Sequence, residues 1–204
     1  ILELQIQGKL YQRQGKALTN FAATLPPPQS DLAQQILKDP YHFDFLTLGK
    51  DAHEQSLERG LLEHLTKFLL ELGVGFALVG SQYPLELDET YYIDLLFYHL
   101  KLRAFVVIEL KAREVQPADV AQVLGYVGAV NDLLRHPNDA PTIGLILGKG
   151  KKKTMVEYVL QNVKTPIGIA DYITSEALPK DLEADLPTVE QLEAELARLE
   201  VKSK

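Results

Sequence analysis

Asp94 in YYIDLLFY, with Glu109 and Lys111 in AFVVIELK, are the residues whose types and spacing could do chemistry. Each lies in a stretch that otherwise reads as buried β-strand. Ionised groups are seldom placed there without compensation. Residues two apart in a strand share a face, so Glu109 and Lys111 project together, beside Phe105 and Val107. Val106, Ile108 and Leu110 cover the other face. This is therefore a central strand with its charged pair at the C-terminal end. A short connection between the two strands can bring Asp94 close to Glu109. Two carboxylates in a partly dry site repel, and one tends to take up a proton. A Mg²⁺ ion, or Mn²⁺ in its place, removes that conflict because it takes oxygen ligands. Such an ion lowers the pKa of a bound water and polarises a phosphoryl group. Lys111 can orient or deprotonate that water, or neutralise developing charge. A main-chain carbonyl such as that of Leu110 can fill another metal position. The chemistry would be hydrolysis of a phosphodiester bond. The plain alternative is a structural Asp and a solvated Glu–Lys pair.

These side chains need a scaffold, and the apolar periodicity supplies one. Residues 1 to about 22 read as a helix with a stripe of Leu2, Ile6, Leu10, Leu18 and Phe21. Pro26 to Pro28 break it. Ser30 or Asp31 caps a short helix through Lys38, ended by Asp39-Pro40. Residues 1–50 are thus expected to be a helical connector. Asp51 opens a long amphipathic helix to Leu72, with Leu57, Leu61, Leu65, Phe68, Leu69 and Leu72 at helical spacing. Strands are expected at 75–80, 83–87, 91–98 and 103–110, the last two an antiparallel pair. Pro117 starts a helix to about Leu134. TIGLILG (142–148) reads as a strand buried on both faces. A short helix over 154–161 and a strand over 166–172 follow. The order implies an α/β fold, a mixed sheet flanked by helices. The domain that holds the site is expected over 51–176, with an acidic tail and last helix over 177–204.

The phrases FLLELGVGFALVGSQY, YYIDLLFYH, FVVIELK, RHPNDAPTIGLIL and KTPIGIADY resemble the YhcG-like nucleases of the PD-(D/E)xK superfamily. The resemblance covers roughly residues 40 to 175. It implies a restriction-endonuclease-like fold and a metal-dependent nuclease acting on DNA, with Asp94, Glu109 and Lys111 at its catalytic positions. It also implies a separate upstream helical domain, absent from this chain. Ile93 stands where the superfamily pattern usually has Pro. That Pro is not chemically needed. Gln122 and Tyr126 share one helix face by their spacing of four. They look like the Gln-xxx-Tyr element of RecB-type nucleases, which aligns the lysine and contacts nucleic acid; an ordinary helix face is the alternative. Superfamily members often add a glutamate from the first long helix. Glu54 and Glu58 share a face there, and Glu58 is favoured over Glu63. Gln82, just past a strand, is a candidate substrate contact.

Other patterns exclude more than they suggest. GKGKKK offers Lys149 and Lys151 as phosphate contacts but does not fit GxxxxGK[ST], so it is no P-loop. His53, His64, His99 and His136 have no metal-site spacing. No G-x-S-x-G element is present. The chain has no cysteine, hence no disulfide frame or thiolate zinc site. No run approaches the ~20 apolar residues that span a bilayer, and no secretory signal is visible. A cytoplasmic protein is expected. The formal net charge of −7 counts against coating nucleic acid through bulk electrostatics. It leaves room for a local basic groove. It also keeps open a catalytically inactive nuclease-fold module for nucleic-acid binding or protein docking. The chain begins with Ile rather than Met, which suggests a piece of a longer protein. The apolar seam of Val189, Leu192, Leu196 and Leu199 offers packing on its own domain or a homodimer contact.

Overall fold

The computed structural model describes residues 10–48, 53–151 and 153–176. The expected tail and last helix lie outside them. The elements are α1 (Leu10–Arg13), β1 (Leu18–Thr19), α2 (Phe21–Thr24), α3 (Gln29–Ile36), β2 (Tyr41–Leu48), α4 (Glu54–Glu63), α5 (Leu65–Leu72) and β3 (Phe76–Glu86). They continue with β4 (Thr90–His99), β5 (Ala104–Leu110), β6 (Glu114–Val115), α6 (Pro117–Leu133), β7 (Ile143–Gly148), β8 (Gly150–Lys151), α7 (Lys153–Gln161) and β9 (Ile167–Glu176).

One mixed sheet runs in the order β1-β9-β7-β5-β4-β3, and β2 also pairs with β9. The β3–β4 and β4–β5 pairs are antiparallel, whereas β5–β7 and β7–β9 are parallel. The fully buried β7 lies between two parallel neighbours, as its unbroken apolar run requires. One core fills the face toward α4 and α5, through Leu57, Leu61, Phe68, Phe97, Ile108 and Leu147. A second fills the face toward α6 and α7, through Val107, Val123, Val127, Ile146, Val156 and Ile169. The chain is thus a mixed sheet flanked by helices, an α/β fold. Gly144 lets α6 approach β7 closely, since a Cβ there would meet Val123 at 2.5 Å.

The N-terminal segment departs from expectation. Residues 10–48 are not a helical connector: the expected first helix ends at Arg13, and Gly15 turns the chain with φ +70°. Leu18 then pairs with Ile169 as β1. Residues 41–48 form β2, pairing in parallel with β9 from Tyr41↔Tyr172 onward. The alternating burial of Tyr41 and Phe43 explains this strand, and Phe43 stacks on Tyr172 at 5.5 Å. Asn20 ties this segment to the rest. Its carboxamide donates to the carbonyls of Val163 at 3.0 Å and Thr165 at 2.9 Å, and accepts from the Ile167 amide at 2.9 Å. One buried side chain thereby satisfies backbone groups that the turn into β9 leaves without ladder partners.

Two other boundaries also differ. The helix expected over 51–72 is divided, because His64 leaves helical geometry (φ −110°, ψ 34°) between α4 and α5. The two short strands expected over 75–87 are one long strand, β3, whose register shifts between Leu78 and Gly80. The irregularity disguised its continuity by breaking the period of two.

Candidate active site

The site is built where β4 and β5 part. Their ladder ends at Leu95↔Ile108. Beyond it, the Leu110 amide donates to Asp94 Oδ2 at 2.9 Å. The carboxylate thus takes the place of a strand acceptor, which fixes Asp94 beside the end of β5. Core packing shows the same local irregularity. Ile93 faces the α6 side and Leu95 the α4 side, and Leu96 again faces α6.

Glu109 and Lys111 do project together. Lys111 Nζ donates to Glu109 Oε1 at 2.8 Å, and both residues are buried, 6% and 3% exposed. The other glutamate oxygen, Oε2, is buried and has no hydrogen-bond partner. Burial raises the Glu109 carboxyl to about 7, with Asp94 adding to the rise and Lys111 opposing it. Burial also raises Asp94, against the pull of the Leu110 amide and Lys111. Burial lowers the Lys111 ammonium, but Glu109 more than offsets that, and its pKa rises.

The backbone that carries Lys111 is clamped. Its amide donates to the Leu147 carbonyl at 2.8 Å. Its carbonyl accepts from the Tyr172 hydroxyl at 3.1 Å, and the next amide, of Ala112, reaches Glu54 Oε1 at 3.4 Å. Tyr172 was no candidate from sequence. It sits within KTPIGIADY, and only the pairing of β9 with β7 brings it beneath the lysine. Burial raises its phenol well above the ordinary range, so it remains a donor.

Helix α6 adds Gln122 and Tyr126. Gln122 Oε1 lies 3.5 Å from Lys111 Nζ, and its Nε2 donates to the Tyr126 hydroxyl at 3.0 Å. The spacing of four thus yields a relay leading out from the lysine. The start of α6 is fixed by Asp119, which accepts from the Gln116 amide at 2.8 Å and from both Arg113 terminal nitrogens at 2.8 Å.

Helix α4 presents Glu54 and Glu58 on one face. Glu58 is 8% exposed, and its Oε2 accepts from Gln82 Nε2 at 2.7 Å. The same nitrogen reaches Asp94 Oδ1 at 3.1 Å. Glu63 is exposed and stays on the far end of α4. Gln82 therefore sits among the carboxylates, bridging two of them. Lys149 donates its amide to the Arg113 carbonyl at 3.1 Å, and Lys151 pairs with Val115 through the backbone. Lys149 stands beside Arg113, which with His53, Glu54, Gln55 and Ala112 lines an open cleft of about 570 Å³. Lys149 is not hydrogen-bonded to the trio among the described residues.

The family model described as the YhcG PDDEXK nuclease domain matches residues 34–187. The chain belongs to this nuclease-domain family. The matched YhcG domain begins ahead of β2, the strand that was not foreseen. The chain is also 31% identical to the YhcG protein of Escherichia coli (strain K12) over 177 residues, 84% of this chain. It spans about half, 47%, of that relative's length. Two solved structures are more distant. A repair endonuclease from Pyrococcus abyssi is 16% identical with a TM-score of 0.43, covering 63% of this chain and 50% of that one. The EndoMS–dsDNA2 complex is 15% identical with a TM-score of 0.41, covering 66% and 48%.

Proposed function

We propose that this domain is a nuclease that hydrolyses phosphodiester bonds in DNA and depends on a divalent cation, Mg²⁺ or Mn²⁺. The reading is carried by one observation: Asp94, Glu109 and Lys111 meet at the end of β5, with a buried glutamate oxygen left unpartnered. The donor set fits the ion. Carboxylate oxygens suit a hard cation, and a buried carboxylate oxygen without a proton donor calls for one.

In this reading Asp94 and Glu109 hold the ion, Glu58 adds a third carboxylate, and the Leu110 carbonyl is a further candidate ligand. When bound, the ion supplies an activated water and charge neutralisation at the phosphoryl group. Lys111 offers charged N–H donors to a phosphoryl oxygen, at about twice the strength of neutral donors. Gln122 keeps that ammonium in place, and Tyr126 stands at the outer end of the relay. Tyr172 and Glu54 fix the peptide that carries the lysine. Lys149 and Lys151 remain candidates to meet a flanking phosphate. DNA as substrate and a further helical domain rest on the family resemblance, and a cytoplasmic location is part of the same proposal. No helix among the described residues is long and apolar enough to cross a membrane.

A second reading has one observation in its favour. Among the described residues, no three His, Asp or Glu side chains lie close enough together to hold a metal ion. That suits a nuclease-fold module without activity. One experiment separates the two: incubation of the chain with linear, circular and branched DNA, and with RNA, in Mg²⁺, in Mn²⁺ and in EDTA. Cleavage of DNA that EDTA stops is the expected result. Intact DNA in both metals rejects the enzyme reading.

A further inference from the structure

We propose that the Gln82 carboxamide is an internal stand-in for the cation, and that its displacement sets the affinity of the site for metal. The proposal rests on the metal-dependent reading above and goes further, to a residue that competes with the ion.

The argument starts from position. Ser81 pairs with Leu95 and Tyr83 with Ile93, so the register sets Gln82 opposite Asp94. Yet Gln82 does not follow the strand. Its φ is +43°, in the left-handed region that a non-glycine residue seldom adopts. That twist re-aims the side chain, and its Nε2 comes to rest between Glu58 Oε2 and Asp94 Oδ1, at 2.7 and 3.1 Å. Only the NH₂ end can occupy this place, because the amide oxygen would face two carboxylate oxygens. Backbone strain at such a position is maintained only when the surroundings over-determine it. Here the two carboxylates do so.

The bridging amide also accounts for the absence of a ready ligand cluster among the described residues. Glu58 and Asp94 are turned toward a nitrogen between them. Two N–H donors relieve part of the repulsion that a divalent ion would otherwise relieve. An ion held by Glu58 and Asp94 together must displace the Gln82 nitrogen that now lies between them. The hydrogen bonds that Gln82 makes are therefore subtracted from metal binding, in the way any ligand of the metal-free state opposes its competitor.

The test is Mn²⁺ titration of the chain by calorimetry, alongside the melting temperature without metal. Gln82→Met keeps the length of the side chain and removes the donors. It is expected to bind Mn²⁺ roughly ten- to a hundredfold more tightly, since hydrogen bonds to charged groups contribute about this much. Its metal-free form should melt lower. Gln82→Asn tolerates the left-handed backbone and draws the amide back by one methylene. It should tighten binding by a smaller factor, and serves if the Met variant does not fold. A merely structural Gln82 would lower the melting temperature and leave the affinity unchanged. Unchanged or weaker Mn²⁺ binding in the variants, with wild-type binding that Glu109→Gln abolishes, overturns the stand-in role alone. No Mn²⁺ binding by the wild-type chain overturns the metal-dependent reading and this proposal with it.

Discussion

Replacing Lys111 with Met should reduce DNA cleavage by roughly 10²–10³-fold or more, the usual cost of losing one donor aimed at transition-state charge. Met fills the volume of the lysine stem, so the packing between β5 and α6 survives. The lost groups are the N–H donors at Glu109 Oε1 and Gln122 Oε1. Removing one partner of a buried ion pair normally costs about 3–5 kcal/mol. Glu109 softens that cost, because burial has already raised its carboxyl to about 7. It can protonate and become a neutral donor. The variant should thus stay folded, with far-ultraviolet circular dichroism unchanged and a modest drop in melting temperature. Activity and stability separate, which is the mark of a catalytic rather than a structural lysine. A variant that retains cleavage within about threefold removes Lys111 from the chemistry.

The largest stability effect is expected far from the site, at Glu71. Its Oε1 accepts from Arg13 Nη1 at 2.6 Å and from the His42 amide at 2.8 Å, and its Oε2 lies 3.9 Å from Lys38 Nζ. Arg13 and Lys38 are both buried. Burial lowers the Lys38 ammonium to about 8, with Glu71 opposing and Arg13 adding to the fall. This one carboxylate thus joins α1, the start of β2 and the end of α5. Glu71→Ala removes the carboxylate shared by Arg13 and Lys38, leaving Arg13 its bond to the Pro40 carbonyl, and takes the acceptor from the His42 amide. The expected loss is about 3–5 kcal/mol, which for a domain of this size lowers the melting temperature by roughly 6–20 °C. Glu71→Gln keeps an acceptor and should lose less. A cost below about 1 kcal/mol, as for an exposed pair, would contradict the reading of a buried hub.

The trio was legible because its signal is local. A carboxylate in each of two apolar strands, joined by a four-residue connection, leaves few ways to place Asp94 other than near Glu109. The i,i+4 spacing of Gln122 and Tyr126 was equally direct, and the structure links them at 3.0 Å. Glu58 was preferred over Glu63, and it is Glu58 that turns inward. What could not be read was whatever depends on distant pairing. Residues 41–48 became a strand because β9 offers an edge, and no local period announces a partner about 130 residues later. Tyr172 escaped notice for the same reason, since its contact with the Lys111 carbonyl exists only once β7 and β9 lie side by side. Gln82 was noticed for its place after a strand but assigned to substrate. Its left-handed backbone, which turns the amide onto Glu58 and Asp94, has no signature in residue type.

The central claim is that Asp94 and Glu109 share one cation. Crystals of the chain grown with Mn²⁺, measured at the manganese absorption edge, test it most directly. The account predicts one anomalous peak within about 2.1–2.3 Å of an oxygen of each carboxylate, with Gln82 moved off Asp94. A saturating Mn²⁺ soak that leaves no peak between those two residues would contradict it.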